Sequence, residues 1–100
     1  MEDTKNAEML RASVAQPAPP PGLKPLLEAL WWEAKGDWER AHQIAQAIGS
    51  PEAARVHAYL HRREGDTANA AYWYRRAGCP ESRQSLDQEW HEIASALLAQ

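Results

Sequence analysis

A pair of histidines four residues apart carries the most suggestive chemistry in this chain. His57 and His61 lie within residues 51–64, where Ala53, Ala54, Val56, Ala58 and Leu60 recur at helical spacing. On a helix turning about 100° per residue, both histidines fall in the middle of that apolar arc, which predicts that both are substantially buried. Imidazoles one turn apart can share a metal ion, with His42 or His91 as a third ligand. They can also be neutral core residues bonded to a carbonyl, a tyrosine or a tryptophan. The second reading is favoured, because the sequence has no His-Glu-x-x-His pattern and no cysteine pair, and a metal centre needs three or four ligands with supporting partners. No metal and no cofactor is assigned. Burial disfavours the charged imidazole, so the fold is expected to lose stability as pH falls from about 8 to 5.

The remaining chemistry is thin. The single Cys79 sits at a turn position with no general base fixed beside it. There is no glycine-rich phosphate loop, no paired-carboxylate constellation and no Ser-His-Asp spacing, so the chain reads as non-enzymatic. Tyr72-Trp73-Tyr74-Arg75-Arg76 mixes aromatic rings with cations, as surfaces that stack on bases do. Helical spacing turns Tyr74 inward with Ala70 and Ala77, and the net charge is −3, so no nucleic-acid partner is expected. Arg55, Tyr59, Arg62 and Arg63 take the arc of residues 51–64 opposite and flanking the apolar one. Between residues 53 and 83 six arginines face Glu64, Asp66 and Glu81, a local balance of +3.

The elements that must position these residues follow from an internal repeat. Shifted by 29 residues, the sequence aligns with itself without gaps: Ala29, Gly36, Asp37, Ala41, Gly49, Pro51 and Glu52 fall on Ala58, Gly65, Asp66, Ala70, Gly78, Pro80 and Glu81. Gly36 and Gly65 suit the left-handed residue that ends a helix, and Asp37 and Asp66 suit the N-cap of the next. Gly49 and Gly78 are expected to end the second helix of each pair. Ser50-Pro51-Glu52 reads as N-cap, proline at the first helical position and an acid beside the positive helix end. Cys79-Pro80-Glu81 repeats that pattern with a poorer cap, and Pro25 opens the first helix in the same way. The expected fold is all-α, with five helices at 25–35, 38–48, 51–64, 67–77 and 81–98. Very short turns make antiparallel hairpins of 25–48 and 51–77, followed by a terminal helix. The alignment puts His61 level with Trp32 and with Trp90, so the ligand-pocket alternative is drawn around His57, His61, Trp32, Trp90 and His42.

Around the Gly-Asp turns the chain resembles the tetratricopeptide family. The second hairpin supplies Ala58, Gly65, Ala70, Tyr74 and Ala77 at the family's positions. The first supplies Ala29, Gly36 and Ala41, with Ala45 and Ile48 at the last two places. The period of 29 is shorter than the usual ~34 residues. The block His57-Ala58-Tyr59-Leu60-His61-Arg62, Glu64-Gly65-Asp66, Asn69-Ala70 and Tyr72-Trp73-Tyr74-Arg75-Arg76 also resembles a family of uncharacterised bacterial proteins, a likeness that implies no activity. The tetratricopeptide resemblance implies a short right-handed stack of about two and a half hairpins over residues 23–100. It also implies a peptide-binding groove lined by the first helix of each hairpin. Carried over by position, that face is Leu30 and Glu33, then Arg55, Tyr59, Arg62 and Arg63, then Gln84, Gln88, His91 and Glu92. An Arg-Tyr-Arg stripe suits a peptide carboxylate or phosphate; a solvated charged face with i, i+4 pairs uses the same residues. The Lys and Asn pattern of carboxylate-clamping members is absent, since Leu26, Leu30 and Val56 stand in those places.

Composition sets the outer bounds. Residues 1–22 contain Pro17-Ala18-Pro19-Pro20-Pro21-Gly22 and almost no apolar periodicity, so they read as a disordered proline-rich tail. A short helix over 7–15 would have nothing evident to pack against. One cysteine fits a reducing compartment, and no run approaches the ~20 apolar residues of a membrane span. A cytoplasmic location without membrane contact is therefore expected. Five Trp and three Tyr give a short array large apolar rings whose polar edges want partners. The expected role is an adaptor that binds a peptide or partner protein through the Arg/Tyr face of the third helix, with a homodimer closing exposed aromatic surface. The alternative is a small-ligand or metal pocket around His57 and His61.

Overall fold

The computed structural model describes residues 6–100, which form six α-helices and, among the described residues, no strand. They are α1 (Ala7–Ala12), α2 (Pro25–Lys35), α3 (Trp38–Gln46), α4 (Pro51–Arg63), α5 (Thr67–Ala77) and α6 (Leu86–Leu98), with a single 3-10 turn at Ser13–Ala15. Among the described residues no helix is long and apolar enough to cross a membrane.

The two Gly-Asp turns fold alike. Gly36 at φ +105° and Gly65 at φ +88° take the left-handed conformation that glycine enters without a Cβ clash. In each turn the glycine amide bonds three residues back and the following aspartate amide five back, to Glu33 and Trp32 in one, Arg62 and His61 in the other. Asp37 and Asp66 then cap α3 and α5, accepting from the amides of Arg40 and Asn69. Ser50 caps α4 through the amide of Ala53 with Pro51 at the first helical position.

Three expectations need correction. The first is the tail. Residues 7–15 are ordered against α6 and α2, with Leu10 fully buried and Ala7 4% exposed. Leu10 supplies one large apolar side chain, too little to register as periodicity yet enough to seat a six-residue helix. The first five residues of the expected tail lie outside the described residues. The second is the end of α3, which closes at Gln46 with Ala47 as C-cap, so Gly49 is not its terminator. The third is α6. Pro80 opens no helix, because Cys79 offers no good oxygen acceptor at the capping position. Instead Ser85 accepts from the amide of Gln88 while the Gln88 side chain accepts from the amide of Ser85.

That shift decides the architecture. Eight residues from Gly78 to Ser85 separate α5 from α6, far more than the tight turns elsewhere. The slack lets α6 cross back over α4 and reach α2, where Trp90 donates its indole N–H to the Leu30 carbonyl at 3.0 Å. The main core gathers Leu10, Leu27, Leu30, Trp31, Val56, Tyr59, Leu60, Trp90 and Ile93 between α1, α2, α4 and α6. A smaller cluster of Ala58, Ala70 and Tyr74 joins α4 to α5. Helix α4 is thus wrapped on both sides, and Arg55 is its only residue between Ala53 and His61 that is not buried.

Candidate functional site

Helix α4 carries both groups of candidate residues, one facing α2 and α6 and the other facing α3 and α5. The first group forms an internal polar network. Tyr59 is 1% exposed and donates to Glu33 Oε1 at 3.0 Å, while Arg63 Nε lies 3.1 Å from Glu33 Oε2. Burial raises the Glu33 carboxyl above the ordinary carboxylate range, with Tyr59 and Arg63 pulling it back. Burial and the adjoining carboxylate push the Tyr59 phenol up.

Arg62 meets Glu89, whose carboxylate is fully buried. Arg62 Nη1 donates to Glu89 Oε1 at 2.8 Å, and Tyr74 Oη donates to Glu89 Oε2 at 2.5 Å. The other Arg62 amino group donates to the Gln84 carbonyl. One carboxylate therefore ties α4, α5 and α6 together, and Arg62 anchors the connection between the last two. Arg55 pairs with Glu92 at 3.4 Å, again from α4 to α6.

The stripe expected to line a groove is therefore buried at Tyr59, and its cations, half-buried at Arg55 and Arg62 and exposed at Arg63, are matched by carboxylates of α2 and α6. Gln84 and Gln88 are exposed, Gln88 serving the α6 cap, and His91 bonds its own helix at the Asp87 carbonyl. The wheel drawn from the sequence set Tyr59 and Arg62 opposite the apolar arc, yet Tyr59 is buried in the same core as Val56 and Leu60. It could not register that a helix folds back over that side.

The second group lies on the other side of α4. His57 and His61 are 5% and 7% exposed, as the apolar arc predicts, and half-buried His42 of α3 joins them. His42 Nε2 and His57 Nε2 are 2.9 Å apart, and ring centroids are 4.6 Å, 5.4 Å and 4.9 Å apart for the pairs 42–57, 42–61 and 57–61. One ligand nitrogen from each of the three lies within 4.8 Å of the others. His61 Nδ1 is 2.8 Å from Glu64 Oε2.

The flanking rings are not the expected ones. Trp38 stacks on His42 at 4.8 Å and 10°, and Trp73 stacks on His57 at 3.8 Å and 10°. Trp38 is itself fixed by donating to the Leu60 carbonyl at 2.7 Å. Trp32 instead lies under the Arg40 guanidinium and beside Trp31, and Trp90 is committed to α2. The 29-residue register fails here because α6 does not continue the stack and α2 turns Trp32 away from α4. Nothing in the spacing of Trp38 at the start of α3 or of Trp73 on α5 pointed to histidines.

Burial, then His42 and His61, lower the His57 pKa to about 4, and burial lowers His42 as well, so both rings are neutral at neutral pH. A cleft of about 380 Å³ between the α3–α4 turn and α5 reaches His57, Trp73 and Arg76. Burial pushes the Cys79 thiol up, away from thiolate chemistry. No family model, curated protein or solved structure matches this chain.

Proposed function

We propose that this chain is a non-enzymatic, tetratricopeptide-like interaction module, and that its receiving surface is the α2/α6 face rather than the Arg/Tyr stripe of α4. The observation behind this reading is the seating of residues 6–16. Helix α1 is six residues long, well below the length at which an isolated helix holds together in water. It is held by what it lies on. Leu10 is fully buried, Arg11 pairs with Asp87 at 3.2 Å and covers the Trp90 ring at 4.8 Å. Trp31 donates to Ser13 Oγ at 3.0 Å, and Lys35 Nζ donates to the carbonyls of Val14 and Gln16 at 2.9 Å and 2.7 Å. The face thus recognises a short amphipathic helix by an apolar knob, a following cation and two free carbonyls at its C-terminal end, a helix-in-groove mode.

The proline-rich stretch 17–21 joins this segment to α2. The simplest partner is therefore the same segment of a second copy, which supplies a route to the expected homodimer. The test uses a fluorescent peptide of residues 6–16 and the full chain carrying Leu10→Asp, which releases its own segment. The opened chain should bind the peptide, and a peptide carrying the same substitution should not bind. A Leu10→Asp chain that keeps its helical circular dichroism yet ignores the wild-type peptide would exclude this reading.

A further inference from the structure

On the opposite side of α4 from that face, and independently of it, we propose that His42, His57 and His61 form a binding site for a divalent transition-metal ion of the zinc class, with water completing the coordination shell. The sequence offers the i, i+4 pair on α4. The fold adds the third imidazole from α3 and brings the three ligand nitrogens within 4.8 Å of one another, the closest two at 2.9 Å. Tetrahedral zinc with Zn–N bonds of about 2.0–2.1 Å separates its ligand nitrogens by about 3.3 Å. The observed spread brackets that value, so rotations that move the nitrogens by about an ångström or less close the site.

Each ring is already held in place. Glu64 accepts at His61 Nδ1, which leaves His61 Nε2 for an ion and reproduces the carboxylate–histidine–metal arrangement. Stacking on Trp38 and Trp73 fixes the planes of His42 and His57. The 2.9 Å contact between two Nε2 atoms requires one to donate and the other to accept. On binding, the donor ring shifts its proton to Nδ1, so both Nε2 lone pairs reach the ion without net proton release. An all-imidazole set suits Zn²⁺, Co²⁺, Ni²⁺ or Cu²⁺ and disfavours Mg²⁺ and Ca²⁺, which take oxygen ligands. His91, bonded within α6, is not among the three. The exposed Glu64 carboxylate lies on the other nitrogen of His61, Nδ1.

The full chain, freed of metal by a chelator, is titrated with Zn²⁺ by calorimetry and with Co²⁺ by visible absorption. The expected result is one ion per chain, the intense bands of tetrahedral Co²⁺ and quenching of tryptophan fluorescence by Co²⁺. His42→Gln, at a half-buried position, should weaken Zn²⁺ binding by about 100-fold or more, and Glu64→Gln by about 10-fold. In parallel, histidine ring proton resonances of the wild-type chain should show three of the four histidines responding to one equivalent of Zn²⁺. Absence of one-to-one binding by both ions overturns the proposal. So does an unchanged affinity in His42→Gln, or a resonance shift confined to His91. If His42→Gln fails to fold, the wild-type resonances decide alone.

Discussion

Charge reversal at Arg62 is the natural test of a peptide-binding stripe, and here it should instead unfold the protein. Glu89 is fully buried and its carboxylate has two partners, Arg62 Nη1 at 2.8 Å and Tyr74 Oη at 2.5 Å. Arg62→Met keeps the stem volume and removes the cation. The carboxylate then remains in the core with one neutral donor, a change of about 3–5 kcal/mol for a broken buried pair. Against a total of about 5–15 kcal/mol for a small domain, that is a large share. Arg62→Glu would set two carboxylates face to face and should be worse. The double variant Arg62→Met, Glu89→Leu removes both charges. It should recover most of the loss, short of about 1 kcal/mol for the acceptor that Tyr74 gives up. Urea unfolding followed by far-ultraviolet circular dichroism gives the four corners of the cycle, with the urea dependence checking that the transition stays two-state. If Arg62→Met lies within about 1 kcal/mol of wild type, or if the two single substitutions add, the buried pair is not the tie between α4, α5 and α6 described above.

Three further outcomes follow from the same structure. In the metal-free chain, with chelator present, His57 is lowered from 6.5 to about 4. Its contribution is complete above the unfolded-state pKa and declines as pH falls toward about 4, a loss of about 2 kcal/mol between about pH 7 and 4.5. The raised Glu33 pKa acts in the opposite sense, stabilising the fold as pH falls. The difference between wild type and His57→Gln in unfolding curves therefore isolates the histidine, and a difference that does not vary with pH would refute the assignment. Gly65→Ala meets no atom within 4 Å but must hold φ +88°, so thermal unfolding should report a loss of about 1–2 kcal/mol from backbone strain alone. Asp66→Ala removes the acceptor for the Asn69 amide and should lower stability by about 1 kcal/mol, whereas Asp66→Asn should be nearly neutral.

What the sequence determined by itself is the local grammar of the hairpins. Gly36-Asp37, Gly65-Asp66 and Ser50-Pro51 act through backbone bonds three to five residues long, so their residue types suffice to place the ends of α2, α3, α4 and α5 to within two residues. The burial of His57 and His61 was legible for the same reason, since an apolar arc on one helix is a local property. The capping box at Ser85 and Gln88 was also written in the sequence, but Pro80 was the louder signal. Only the tertiary structure decided what each helix face meets. An eight-residue connection freed α6 to fold back on α2, which buried Tyr59 and paired Arg62 and Arg63 with the buried carboxylates of Glu89 and Glu33 instead of leaving an open groove. It also gave Leu10 a seat and so ordered a segment whose composition alone predicted disorder. The sequence offered His42 and His91 as alternative third partners, and only the packing of α3 and α5 on α4 selected His42 and brought Trp38 and Trp73 beside the pair. Such partnerships depend on packing between distant segments, for which neither spacing nor propensity along one helix holds a signal.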